Sequence, residues 1–290
     1  MFPGCMTALV TPFRSGAVDL VALADLVEAQ IAGGVNGLVP CGSTGESATM
    51  SHEEHLTVVR EVVRVARGRV PVVAGTGSNA TAEAIRLTRG AEEVGADAAL
   101  LISPYYNKPT QDGIVQHYAA IAEATRLPLI AYNIQGRTAS NITPETMARL
   151  ARIPRLIGVK EASGSLPQVL EILEACGPEF AVWAGDDVIT LPLMAAGAIG
   201  VISVASNVAP ARMVELTQAM RAGDLAKARR VHLSLMPLFR HLTLEVNPIP
   251  VKTALAMMGR CTDELRLPLT PLAAKNRAIL ETTLREQGLV

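Results

Sequence analysis

Leu129-Ile130-Ala131-Tyr132, then Thr143-Pro144-Glu145, then Leu156-Ile157-Gly158-Val159-Lys160 decide the fold of this chain. The first and last runs have the length of strands and are apolar without polar alternation. Strands covered on both faces have that character, and they belong to parallel sheets. The middle triplet is a helix start. Thr143 is suited to cap, Pro144 fits the first turn, and Glu145 lies near the positive end of the helix. Strand, helix, strand is the repeating unit of a parallel α/β fold.

The same unit recurs outward in both directions. Strands are expected at Met6–Val10, Gly37–Pro40, Val70–Ala74, Ala98–Ile102, Ala181–Ala184 and Gly200–Val204. Ser51 opens Ser-His-Glu-Glu, a capping box in which Ser51 and Glu54 satisfy each other's free amides. Thr81 opens another helix. Eight such units predict an α/β fold closed into a (β/α)₈ TIM barrel. An open doubly wound sheet is the alternative, but no G-x-G-x-x-G follows the first strand. Beyond Asn207 the strand signals stop. Helices are expected over Pro210–Arg221, Asp224–Leu244, Pro250–Met258 and Pro271–Gln287. The expected organisation is a barrel over residues 1–223 with a helical region, 224–290, packed on it.

Composition agrees with a large folded core. The 290 residues are 49% hydrophobic, 18% charged and 3% aromatic, with a net charge of −1. Charge density is too low for a disordered chain, and no basic excess points to nucleic acid. With so few rings, the core must be built from Ala, Val, Leu and Ile. Cys5, Cys41, Cys176 and Cys261 form no C-x-x-C pair, so reduced thiols in a cytoplasmic protein are expected. Met1–Val10 does not resemble a signal peptide. Val188–Ala211 is uncharged and long enough to span a bilayer. Its glycines, prolines, serines and asparagine instead predict a short buried helix and a buried strand, so no membrane association is expected.

In a barrel, chemistry gathers where strands end. Strand 2 runs into Cys41-Gly42-Ser43-Thr44-Gly45-Glu46-Ser47. Its glycines let backbone N–H groups approach a small anion, and its hydroxyls can pass a proton. The same pattern also occurs in plain turns. Strand 4 ends in Tyr105-Tyr106-Asn107 and strand 5 in Tyr132-Asn133, which puts three of the four tyrosines at adjacent strand ends. Lys160 ends an apolar strand, where desolvation favours the neutral amine that attacks a carbonyl. Arg137, five residues past Tyr132, lies in the loop after strand 5 and can hold a carboxylate through paired hydrogen bonds. Plugging the barrel mouth, snorkelling to its rim and solvated surface placement are the structural alternatives for these residues. His52 and His55 share a helix face but lack the H-E-x-x-H pattern and a third ligand, so no metal is expected. Cys41 and Trp183 are most simply core.

Gly42-Ser43-Thr44-Gly45-Glu46, Tyr105-Tyr106-Asn107, Tyr132-Asn133, Val159-Lys160-Glu161-Ala162-Ser163-Gly164, Gly185-Asp186-Asp187 and Asn247-Pro248-Ile249-Pro250-Val251-Lys252 together resemble the pyruvate-dependent class I aldolase and N-acetylneuraminate lyase superfamily. The resemblance runs over essentially the whole chain. It is strongest to the branch that condenses pyruvate with L-aspartate 4-semialdehyde towards diaminopimelate and lysine.

The resemblance implies a role for each residue. Lys160 would form a Schiff base with pyruvate, so that no separate cofactor is needed. Ser43 and Thr44 would hold the pyruvate carboxylate. Tyr132 would be the general acid and base, linked through Thr44 to Tyr106 reaching in from a neighbouring subunit. Arg137 would bind the semialdehyde carboxylate, and backbone near Gly185 and Ile202 would line the pocket. Sialic-acid lyases and 2-keto-3-deoxy sugar-acid aldolases share the lysine and tyrosine but generally lack the arginine. They remain the sister alternative, and a non-catalytic small-molecule-binding barrel is the alternative of another class. Two departures stand out: Ser43 replaces the usual threonine, and Gln135 replaces the usual proline before the arginine loop.

The resemblance also implies an effector pocket for L-lysine at a subunit interface. Its residues would be Ser47, Ala48, His52 and His55, with Asn79, Glu83 and Tyr105. Glu83 would meet the ligand's ammonium, and Asn79 and Tyr105 its carboxylate. Self-association as a dimer of dimers is the family expectation.

Overall fold

The computed structural model describes residues 2–290. Eight parallel strands form one sheet: β1 (Gly4–Ala8), β2 (Gly37–Val39), β3 (Val73–Gly75), β4 (Ala98–Ile102), β5 (Leu129–Asn133), β6 (Leu156–Glu161), β7 (Ala181–Ala184) and β8 (Gly200–Ser203). Neighbours in sequence are neighbours in the sheet, and β1 lies between β8 and β2. A parallel bridge between Leu38 and Val72 closes the ring at the β2–β3 seam. The closed barrel is therefore present and the open sheet is not.

Strand alternation sorts side chains into two cores. Met6, Val39, Leu100, Tyr132, Trp183 and Ile202 belong to the barrel interior, together with alanines that leave room for the rings. Strand residues of the other parity join the outer core, beneath the helices. Trp183 is fully buried and its indole N–H donates to the Phe2 carbonyl at 2.9 Å, so it is core as expected. Tyr118, also fully buried, donates to the Leu101 carbonyl at 2.8 Å. Cys41 is a small buried residue whose thiol is pushed well up by desolvation.

Two strands sit where the apolar runs did not predict. The first is displaced towards the N-terminus, Gly4–Ala8 rather than Met6–Val10. Leu9 and Val10 are buried without being strand, their N–H groups donating to the Val39 carbonyl and the Asn207 side chain. The third begins at Val73 rather than Val70, after Pro71 interrupts the run of donors. A hairpin, Phe13–Arg14 with Ala17–Val18, was not expected at all. Ser15 and Gly16 turn it, both with positive φ, and Glu264 accepts from both their backbone N–H groups.

Helix starts follow the sequence. Ser51 and Glu54 form the reciprocal capping box, and Thr143 caps the helix that Pro144 opens. The uncharged stretch 188–211 contains the short helix Thr190–Ala196 and strand β8, and no described helix is long and apolar enough to cross a membrane. After Pro210–Arg221 come Leu225–His241, Ile249–Met257 and Ala274–Glu286, each within a few residues of expectation. Leu235, Leu238, Leu255, Leu280 and Leu284 join the same hydrophobic core as the barrel's outer face. Through these side chains the C-terminal helices pack on the barrel.

Candidate active site

Tyr132 and Lys160 are register partners on β5 and β6. Both side chains point into the barrel mouth, and Lys160 Nζ lies 4.3 Å from the centre of the Tyr132 ring. The next residues, Asn133 and Glu161, point the other way by strand alternation and hydrogen-bond each other at 3.0 Å. Burial lowers Lys160 to a pKa of about 8, with Arg137 acting in the same direction and Asp187 and Asp186 against it. Burial also raises Tyr132 to about 12, with Arg137 and the Ser43 hydroxyl opposing the rise. At neutral pH the phenol keeps its proton, while a useful fraction of the amine has lost one.

Lys160 opens onto a cavity of about 200 Å³. Thr44, Tyr132, Arg137, Gly185, Asp186 and Asp187 line it. Asn247, with Phe239, Leu242 and Thr243 of the C-terminal region, covers its side. Sequence reasoning missed Phe239, Leu242 and Thr243, and it quoted Asn247 in a motif without giving it a task. It also passed over the task of Asp187. One of that residue's oxygens accepts from the backbone N–H groups of Val204 and Ala205 at 3.0 and 2.8 Å, which fixes the loop after β8. Ile202 lies beneath, fully buried in the barrel interior, rather than on the cavity wall.

The loop after β2 is a tight turn. Gly45 N–H donates to Gly42 O at 3.0 Å and Glu46 N–H to Ser43 O at 3.2 Å. A Cβ at Gly45 would lie 3.0–3.2 Å from the backbone of Cys41 and Leu9, a tight fit that favours glycine there. Among the described residues no backbone carbonyl takes the N–H of Ser43 or Thr44. That leaves two donors beside two hydroxyls, a suitable cradle for a carboxylate. Thr44 Oγ1 accepts from Asn247 Nδ2 at 2.9 Å, and the Asn247 carbonyl accepts from Arg137 at 2.9 Å.

Tyr106 stands apart. It is 87% exposed and touches neither cavity. Its φ of 70° places an aromatic residue in the left-handed region, an uncommon and strained placement. Within one chain, Thr44 is therefore not joined to Tyr106.

A second cavity, of about 380 Å³, shares Tyr132, Arg137 and Asn247 with the first, and Ser43 lies on its wall. Six of the seven expected effector residues line it: Ser47, Ala48, His52, His55, Glu83 and Tyr105. Asn79 does not, and its carbonyl instead accepts from Asn107 at 2.9 Å. Glu83 is held by the Ser78 hydroxyl and by His52 at 2.6 Å, and both contacts lower its pKa. His55 Nε2 is 2.8 Å from the Gly75 carbonyl, so it carries the hydrogen and leaves Nδ1 as a buried acceptor without a partner. Burial lowers the His55 pKa and keeps the ring neutral.

Residues 1–287 match the Dihydrodipicolinate synthetase family. The 4-hydroxy-tetrahydrodipicolinate synthase of Nitratidesulfovibrio vulgaris is 57% identical over 290 residues, which is all of this chain and 99% of that protein. The solved structure of the chloride-inhibited dihydrodipicolinate synthase of Acinetobacter baumannii, complexed with pyruvate, aligns with a TM-score of 0.98 at 46% identity, covering 100% of both chains. That of the Cyanidioschyzon merolae enzyme with lysine bound aligns at 0.97 and 40% identity, covering 100% of this chain and 99% of the other. Agreement along the whole chain, in sequence as in shape, makes this protein a member of the dihydrodipicolinate synthetase family.

Proposed function

We propose that this chain condenses pyruvate with L-aspartate 4-semialdehyde, the 4-hydroxy-tetrahydrodipicolinate synthase activity of its relatives, in the cytoplasm. The observation that carries the reading is the Lys160 amine, buried beside Tyr132 and held near a pKa of 8. A neutral amine attacks the pyruvate ketone, Tyr132 supplies the proton that lets water leave, and an imine forms on Lys160. Loss of a methyl proton gives the enamine. Its carbon attacks the aldehyde and forms the new C–C bond. The semialdehyde's own amine then adds to the imine carbon, closes the ring and frees Lys160. The imine serves where an external cofactor would otherwise be required.

Ser43 and Thr44 hold the pyruvate carboxylate in this reading, and Arg137 holds that of the semialdehyde. Two positioned acids explain why the site needs two anion-binding elements. Tyr106, exposed and strained on one chain, completes the proton path by entering the site of a neighbouring copy, so self-association belongs to the proposal. The larger cavity takes L-lysine as a feedback inhibitor. Its carboxylate Glu83 and its neutral His55 acceptor suit an ammonium group, and a relative is known with lysine bound.

Borohydride reduction in the presence of pyruvate tests the central step. The expected result is one stable adduct on Lys160; untreated protein, assayed separately, should turn over aspartate semialdehyde but not N-acetylmannosamine or glyceraldehyde. An unmodified Lys160 would refute the imine chemistry, and preference for a sugar aldehyde would move the chain to a sister activity.

A further inference from the structure

The Ser43–Thr44 loop is gripped from outside the barrel. Glu46, two residues beyond Thr44, has φ 54° and ψ 36°. A non-glycine residue stays in this left-handed region only when its surroundings hold it there. The holding contacts are visible. One carboxylate oxygen of Glu46 meets Nζ of Lys252. The other accepts from the backbone N–H of Arg266 at 3.2 Å. Both members of the ion pair are buried from solvent. Lys252 Nζ also sits 4.2 Å from the centre of the Phe13 ring, which the Arg266 guanidinium contacts at 4.3 Å.

Lys252 lies on helix Ile249–Met257, just after Asn247, the residue that donates to Thr44. One short segment of the C-terminal region thus takes hold of the loop at two points. Withdrawing two charges from water is expensive, and an apolar contact would stabilise the fold at least as well. What an ion pair adds is a defined direction and distance. Here that definition falls on the residue that ends the anion-binding turn.

We propose that Glu46 and Lys252 are positioning residues for the substrate-carboxylate cradle, setting where Ser43 and Thr44 stand relative to Lys160. The proposal rests on the reading of that turn as the pyruvate-carboxylate site. Neither residue lines the Lys160 cavity, so their loss weakens pyruvate capture more than the chemistry that follows.

Borohydride trapping at graded pyruvate concentrations tests this, with the intact protein, the double variant Glu46→Gln/Lys252→Met, and Glu46→Asp. The double variant removes both charges together, and Glu46→Asp keeps the pair but shortens the tether. In the double variant, half-maximal trapping is expected to need at least about tenfold more pyruvate. The trapping rate at saturating pyruvate and the KM for the semialdehyde should each stay within about threefold of the parent. Glu46→Asp should move in the same direction by a smaller factor, at least about threefold. Half-saturation within about twofold of the parent in both variants would overturn the proposal, as would equal losses in capture and in saturated rate. Failure of both variants to fold would also overturn it, since the pair would then serve stability alone. An unlabelled parent protein would sink the functional reading itself and this inference with it. A labelled parent with unmoved variants would sink only the inference.

Discussion

Lys160 Nζ lies 4.3 Å from the centre of the Tyr132 ring, across two strands whose register places the residues side by side. The contact joins an amine whose proton burial loosens to a phenol whose proton burial holds. With Lys160 near 8, about one amine in ten is neutral at pH 7. Imine formation at fixed low pyruvate should therefore rise nearly tenfold per pH unit below 8 and level off above it. Stopped-flow or borohydride trapping between pH 6 and 9.5 measures this. The folded protein releases this proton near 8, whereas the unfolded chain keeps it to the ordinary value of 10.5. Stability from this group therefore rises with pH between those values. A trapping profile flat across the range would mean that the buried amine is not the nucleophile.

Arg137 donates to the Asn247 carbonyl and lines both cavities. Arg137 is exposed, which leaves further donors for the second substrate of the proposed reaction. Removing a charge-assisted contact to a carboxylate typically costs about 1.5–3 kcal/mol, or roughly ten- to a hundredfold. Arg137→Ala should raise the semialdehyde KM by that factor while half-saturation for pyruvate trapping changes by less than about threefold. Equal effects on both substrates would give the arginine a different role.

Glu83 stands between Ser78 and His52 in the larger cavity. Glu83→Gln keeps the shape and removes the charge that would meet an ammonium group. Inhibition by L-lysine should weaken at least about tenfold, with turnover in its absence unchanged within about twofold. Calorimetric titration and inhibition curves read the two quantities. Parent protein that neither binds nor responds to millimolar lysine would remove the effector assignment.

Gly158 lies two residues before Lys160, where a Cβ would fall 2.1 Å from the Ala181 carbonyl oxygen and 2.7 Å from the Trp183 ring. The barrel has no room for it. Gly158→Ala should cost about 1–3 kcal/mol and lower Tm by several degrees. An unchanged melting curve would show the β6–β7 contact to be looser than described.

Much of this was readable from residues because each signal was local. Apolar runs mark strands, Ser51 and Thr143 mark helix starts, and an isolated lysine closing an apolar strand marks a perturbed amine. Strand limits slipped where burial and strand pairing part company, as at Leu9 and Val10, which are buried outside any strand. The loop's anchorage was not legible, because Glu46 and Lys252 are distant in sequence and composition cannot pair charges. One trace was available: Lys252 is the only charged residue between Val246 and Gly259, a hint that it is buried for a reason. Asn79 lies off the wall of the larger cavity it was expected to line, and Tyr106, expected to act on a neighbouring copy, is exposed on its own chain.

The Glu46–Lys252 contact spans 206 residues. During synthesis the eighth barrel strand ends at Ser203, long before Lys252 leaves the ribosome. A nascent chain can therefore complete its sheet while Glu46 still lacks a counter-charge and the turn at Ser43 and Thr44 is unsecured. The last helices thereby stand as the chain's own late-arriving assembly factor, since only their synthesis brings Lys252 to the turn.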